Sequence, residues 1–374
     1  IRDRNNQMKI YNFITQISIA GCMLVGTPML QGCMDNSLND PLGKVSEEEL
    51  GRDGFAANAF FLTLCDYAYP IATENIYNTN ESLIGDCYGR YQVMATDKFK
   101  GANFATYNAP ENWLNWQFAD DNVMVLTYGA WNKIKNVTQG TGVNFAWAQI
   151  LRIATMHRML DMYGALPYSQ ISSDKLSAPY DTMEEAYHAM FTDLTDAINV
   201  MTVYVTENPN NRTMAKYDKV YDGDFEKWVK FANSLKLRMA IRIRFADREY
   251  ARQMAEEAIN HSIGVITSNE DNATSLGTKN QLYTVLVQWP DQCVSADITS
   301  YMKGYNDPRM SKYFKKKTSD KGDDDYVGMR AGLSYGNDIT GPTFSRINVG
   351  EMDRTLCMSA AERAFNKAEA AMLG

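Results

Sequence analysis

Histidine is nearly absent: the chain holds three, His157, His188 and His261. HExxH and Walker-type loops are missing, which removes the usual residue patterns of zinc peptidases and nucleoside-triphosphate sites. Six cysteines occur, at 22, 33, 65, 87, 293 and 357, and no two form a CxxC pair. That argues against a zinc knuckle and against a thioredoxin-like redox motif. Positive charge is in deficit. The formal net charge is −8, which argues against a nucleic-acid partner held through phosphates and against attachment to anionic lipid by charge alone. A long uninterrupted apolar run is missing too. The one apolar segment, after Met8-Lys9, contains Gln16 and Pro28, which disfavours a stable membrane-spanning helix.

What is present is the composition of a folded body. The 374 residues are 45% hydrophobic and 22% charged, with 22 Tyr, 15 Phe and 6 Trp, enough for one large or two ordinary cores. Carboxylates are plentiful, and a glycosidase needs only two at the right separation, so a surface glycoside hydrolase stays open. Nothing in the residue patterns calls for a cofactor.

The first 32 residues read as a leader. Residues 1–7 precede the first Met, and Lys9 followed by the apolar run is a secretory pattern. Two cysteines compete as the lipidated residue. Ile19-Ala20-Gly21-Cys22 has the better lipobox letters, whereas Leu30-Gln31-Gly32-Cys33 is followed at once by polar Asp35-Asn36-Ser37. A solvated tether after the lipid favours Cys33 as the lipid-attachment residue. The expected organisation is therefore leader 1–32, lipidated tether 33–45 and a helical body 46–374.

Along the body, helix signals dominate. Ser46 and Glu49 form a capping box for a helix reaching about Tyr67. Residues 71–118 show no sustained period and read as a long aromatic loop region. Helices follow over 120–137 and 143–163, the latter stopped by Gly164. Thr182 and Glu185 form a second capping box, for a helix to about Met201. Asp224 caps a helix whose Phe225, Trp228, Ala232, Leu235, Met239 and Ile243 share one face. Its other face is basic and reads as solvated. Asp247 caps a helix to about His261, and a last helix begins at Ser359 and Glu362. Paired long helices with short connections point to a mainly α fold of stacked helical hairpins, although no literal 34-residue repeat occurs.

The candidate ligand residues are aromatics of the irregular segments: Tyr88, Tyr91, Trp113, Trp116, Tyr283 and Trp289, with Tyr305 of the same chemistry. An aromatic face stacks on the C–H face of a sugar ring, and neighbouring Asn or Asp side chains bond its hydroxyls. The plain alternative is that these rings staple long loops to the helices. His157 lies on an apolar helix face and reads as a satisfied core residue. Asp218, Asp222 and Asp224, and Asp323–Asp325, lack EF-hand spacing and read as a helix cap and an acidic turn rather than calcium sites.

Several stretches, in order, resemble the SusD/RagB family of outer-membrane lipoproteins. They are Met162-Tyr163-Gly164-Ala165-Leu166-Pro167-Tyr168, with Ala165 where the family usually has Asp; the helix from Asp222 to Arg242; Asn306-Asp307-Pro308-Arg309-Met310; and Ala368-Glu369-Ala370-Ala371. The resemblance implies a tetratricopeptide-like scaffold with a loop-rich ligand-binding face. It also implies capture of oligosaccharide, or of peptide in some members, at the cell surface for a SusC-like TonB-dependent transporter barrel. Family members usually continue past the Ala-Glu-Ala helix, so a C-terminally truncated copy is expected. The family's sugar contacts lie in variable loops, so no ligand residue carries over by motif.

Overall fold

The computed structural model describes residues 55–374, except 70, 97–98, 100–105, 119–121, 172–176, 276, 290, 318–324, 334–342 and 374. The leader, Cys33, the Ser46–Glu49 capping box and Asp323–Asp324 lie outside the described residues. All described residues belong to the unit 54–374.

Nine α-helices of eight or more residues organise the described residues: α1 (Phe55–Ala68), α2 (Glu111–Phe118), α3 (Val123–Thr138), α4 (Gly142–Tyr163), α5 (Met183–Glu207), α6 (Phe225–Ile243), α7 (Arg248–Ile259), α8 (Ala296–Gly304) and α9 (Ala360–Leu373). The long ones pack in sequence order: α1 on α3, α3 on α4, α4 on α5, α5 on α6, and α6 on α7 and α9. Short connections between α3 and α4 and between α6 and α7 make those neighbours hairpins. The fold is mainly α, as the helix signals indicate. Among the described residues no helix is long and apolar enough to cross a membrane.

The caps explain several boundaries. Thr182 Oγ1 accepts the Glu185 N–H while a Glu185 carboxylate oxygen accepts the Thr182 N–H, a complete capping box. Asp224 Oδ1 accepts from Lys227 N–H, and Asp247 Oδ1 from Tyr250 N–H. Gly164 ends α4 at φ 79°, ψ −142°, a region essentially restricted to glycine, rather than in the left-handed helical well.

The main core is built around Trp147. Phe61 of α1 stacks on it at 4.3 Å and Trp228 of α6 lies 5.7 Å away, so one side chain joins three helices. His157 is buried here and its Nδ1–H donates to the Ile153 carbonyl at 2.9 Å. The four cysteines of the described body are buried free thiols.

Two expectations need correction. The stretch 71–118 is not one long loop. Residues Glu74–Tyr77, Asn78–Gly85 and Asp86–Tyr88 form a continuous helical run whose middle is a π-helix. The run buries Asn78, Thr79, Asn80 and Ser82, so neither its spacing nor its polarity matches a 3.6-residue apolar pattern. Likewise, the basic face of α6 is not simply solvated. Lys236 is buried against Glu257 of α7, Lys230 meets Asp271 at 3.0 Å, and Arg238 makes a two-pronged contact with Glu362 of α9 at 2.7 Å on each prong. The elements that follow α6 in sequence fold back over that face.

The irregular side carries three two-stranded antiparallel ladders. β1 (Gln92–Met94) pairs with β3 (Gln292–Val294), β2 (Ala273–Ser275) with β6 (Thr355–Met358), and β4 (Phe314–Lys315) with β5 (Arg346–Ile347). Small satellite cores sit beneath them, among them Val93, Ala95, Cys293 and Met329, and Val294, Met302, Met310 and Phe314. These give segments far apart in sequence a fixed platform.

Candidate functional site

The platform brings residues 89–91 against α8 and the turn that follows it. Ser295 N–H donates to the Tyr91 carbonyl at 3.0 Å, and Ser295 Oγ accepts from Asp297 N–H at 3.0 Å to cap α8. Tyr301 and Tyr305 are four positions apart, so they fall on one side of the helix and its end, with ring centroids 5.1 Å apart. Asn306 then turns the chain at φ 49°, and Asp307 N–H donates back to the Met302 carbonyl. Arg309 binds both carboxylate oxygens of Asp307 and lies 5.9 Å from the centroid of the Tyr313 ring.

The result is an open cleft of about 750 Å3 lined by Tyr91, Tyr301, Tyr305 and Tyr313. These rings are 54%, 70%, 73% and 45% exposed. Four exposed phenols around one concavity form an apolar patch with polar tips, and a patch of that kind marks an interaction surface. The walls carry two ion pairs, Arg90–Asp297 at 3.5 Å and Arg309–Asp307. Arg309 holds the Asp307 carboxyl at about 2, below the usual carboxylate range. The site thus offers ring faces for stacking together with planar charged groups that can bond adjacent hydroxyls.

The six sequence candidates are distributed unevenly. Tyr91 lines the cleft. Tyr88 is exposed, but its ring stacks on Tyr107 at 5.6 Å and is not part of the cleft wall. Trp113 is half-buried, meets Phe99 edge-to-face at 5.0 Å and packs on Leu83 and Met94. Trp116 lies on α2, its side chain outside the described ones. Trp289 is half-buried against Tyr77, Val285 and Leu286, and Tyr283 is half-buried and lines neither this cleft nor the one beside it. The structure therefore does not gather these six into one site. The cleft residues missed by sequence are Arg90, Asp297, Tyr301, Arg309 and Tyr313. The four-residue spacing of Tyr301 and Tyr305 was the available signal.

Asp218 is consumed within its own turn, accepting from Val220, Tyr221 and Gly223 N–H and from Trp228 Nε1–H. Among the described residues, no group of three His, Cys, Asp or Glu side chains is placed to hold a metal ion. A separate concavity of about 480 Å3 between α6, α7 and α9 has Ala and Ile walls, with Phe245 and Met372 exposed at it. Its lining suits hydrocarbon rather than hydroxyl groups.

Stacked helices thus carry a loop-built aromatic cleft. The chain belongs to the SusD-like family: the family profile, described as Susd and RagB outer membrane lipoprotein, matches residues 37–374. Solved structures agree. A SusD homolog from Bacteroides uniformis is 36% identical, with a TM-score of 0.76, over 85% of this chain and 66% of that one. A SusD homolog from Bacteroides thetaiotaomicron is 32% identical, with a TM-score of 0.76, over 84% and 64%. A chitin-binding SusD homolog from Flavobacterium johnsoniae is 30% identical, with a TM-score of 0.74, over 84% and 66%. The chain thus spans just under two thirds of the length of each. No curated protein matches it.

Proposed function

We propose that this chain is the body of a cell-surface, lipid-anchored outer-membrane protein that captures oligosaccharide and passes it to a SusC-like TonB-dependent transporter barrel. The observation that carries the reading is the cluster of four exposed tyrosines around one cleft. Family membership supports the anchoring, and the family match begins at residue 37, shortly after Cys33. Residues 1–32 would then be removed, Cys33 lipidated, 33–45 a tether, and 46–374 the body. A tether holds the cleft close to the transporter mouth and raises the effective ligand concentration there. Release to the barrel needs modest affinity, which suits an open, stacking-based site.

Binding without catalysis fits the chemistry of the tyrosine-lined cleft. Asp307, held ionised by Arg309, has no proton to give a leaving group at neutral pH, whereas a glycosidase acid needs a raised pKa.

Calorimetry of the purified protein against neutral and acidic oligosaccharides tests the reading. Tyr91→Ala, Tyr301→Ala and Tyr305→Ala should each weaken binding about fivefold, corresponding to roughly 1 kcal/mol per stacked ring. Unchanged binding in the triple variant would remove the cleft assignment. Mass spectrometry of the mature N-terminus should find a lipid on Cys33; a lipid on Cys22 instead, or none, would overturn the anchor.

A further inference from the structure

A second cleft, of about 630 Å3, shares Tyr91, Ile298 and Tyr313 with the first. The two clefts adjoin at those residues, but their electrostatics differ. In the first, each cation has its own carboxylate. In the second, Lys312 and Arg346 have no carboxylate within ion-pair distance among the described residues. Elsewhere Lys219, Lys230, Lys236, Arg158, Arg238 and Arg242 all meet an acidic partner.

Arg346 is half-buried on β5. Its Nη1 donates to the carbonyls of Leu286 at 3.2 Å and Gln292 at 2.5 Å. Nε and Nη2 have no partner among the described residues. Burial disfavours its charge, and an arginine stays ionised regardless, so an anion that replaces lost water is stabilising here. The β4–β5 ladder sets the spacing. Lys315 pairs with Arg346, and Asn348 N–H donates to the Tyr313 carbonyl at 2.7 Å. Arg346 is therefore two residues along the strand from the position facing Tyr313, about 7 Å. The other charged groups of this cleft are Arg354, Asp353 and Asp86. Arg354 is committed to Thr274 and to the Lys219 carbonyl, and Asp353 accepts the Gly350 N–H. Asp86 accepts from Gln92 Nε2–H. Burial, reinforced by Glu81, raises its carboxyl to about 7, so near neutral pH it carries only part of a charge. The balance is cationic.

We infer that the groove takes an acidic oligosaccharide, with one sugar stacked on the tyrosines of the first cleft and the anionic group of a neighbouring sugar held by Lys312 and Arg346 in the second. This rests on the first cleft being a glycan site. Guanidinium and carboxylate match as planar two-pronged partners, and the apolar walls Leu286, Val294 and Ile347 strengthen the attraction by excluding water.

The test is calorimetry of the full chain with uronate-bearing oligosaccharides, their carboxyl-reduced neutral counterparts and sulfated oligosaccharides. The acidic form should bind at least about tenfold tighter than its neutral counterpart. Lys312→Gln with Arg346→Gln should erase that preference and leave affinity for the neutral form unchanged, while Tyr301→Ala should weaken both forms alike. Stronger binding of sulfated than of uronate ligands identifies the anion as sulfate and keeps the basic subsite. Equal affinity for acidic and neutral forms, or a preference that survives the double variant, overturns the inference. In the first of those outcomes neutral glycan still binds through the tyrosines, so the function proposed above stands; failure of every glycan to bind removes both.

Discussion

Tyr301 and Trp113 are both large aromatics of the irregular half, and their surroundings separate their roles. Tyr301 is mostly exposed beside other rings, whereas Trp113 is packed among Phe99, Leu83 and Met94. Trp113→Ala should therefore lower stability by about 2 kcal/mol in denaturant titration, less than a fully buried Trp because the ring is partly open. Tyr301→Ala should leave stability within about 0.5 kcal/mol and reduce glycan affinity. Asp86 gives a pH signature. Its folded pKa of about 7 lies above the ordinary 3.8, so between those values the folded state binds more protons than the unfolded state and stability falls as pH rises. Asp86→Asn should flatten that slope and raise stability at pH 8 by on the order of 3 kcal/mol, read from unfolding midpoints at pH 4.5 and pH 8. A midpoint difference no larger at pH 8 than at pH 4.5 would contradict the burial argument.

At the scale of elements, caps and ion pairs decide where helices stop and what they lean on. Thr182→Ala removes one half of the capping box that starts α5 and should cost about 1 kcal/mol. Arg238 and Glu362 join α6 to α9. Arg238→Ala should cost about 2 kcal/mol, because it leaves Glu362 without its two-pronged partner in a half-buried setting. A double-mutant cycle with Glu362→Ala should show a coupling above about 0.5 kcal/mol; purely additive losses would mean the pair is only incidental. The caps of α5, α6 and α7 were legible because Thr182, Asp224 and Asp247 act on residues three positions away. The partners of the α6 basic face were not, since Glu362 is 124 residues distant in sequence. The π-helical run at Asn78–Gly85 escaped for another reason: its period is not 3.6, and four of its five buried residues are polar.

For the whole molecule, the helices close one core around Trp147 and place His157 inside it. Burial and the nearby Arg238 lower the His157 pKa to about 3 from 6.5. The sign is that of a depressed histidine: the stability is fully present above 6.5 and is lost as pH falls toward 3, because the unfolded chain takes up the proton first. The protein should lose on the order of 3 kcal/mol between pH 7 and pH 4 from this group, and His157→Gln should remove much of that loss in an acid titration followed by circular dichroism. The irregular half is organised differently, by several small cores that align residues 89–94, 292–314 and 344–347. That alignment creates the groove.

The sequence by itself determined the long helices, several of their caps, the acidic character and the family, because each is written in residues a few positions apart or in ordered motifs. It also placed Tyr91 among the candidates on chemistry alone. Only the tertiary structure decided which aromatics share a concave surface and which staple loops. Tyr91, Tyr301 and Tyr313 come together across more than two hundred residues through backbone bonds such as Ser295 N–H to the Tyr91 carbonyl and Asn348 N–H to the Tyr313 carbonyl. The unpaired state of Arg346 is likewise a matter of which carboxylates the fold leaves out of reach, and no local spacing records it.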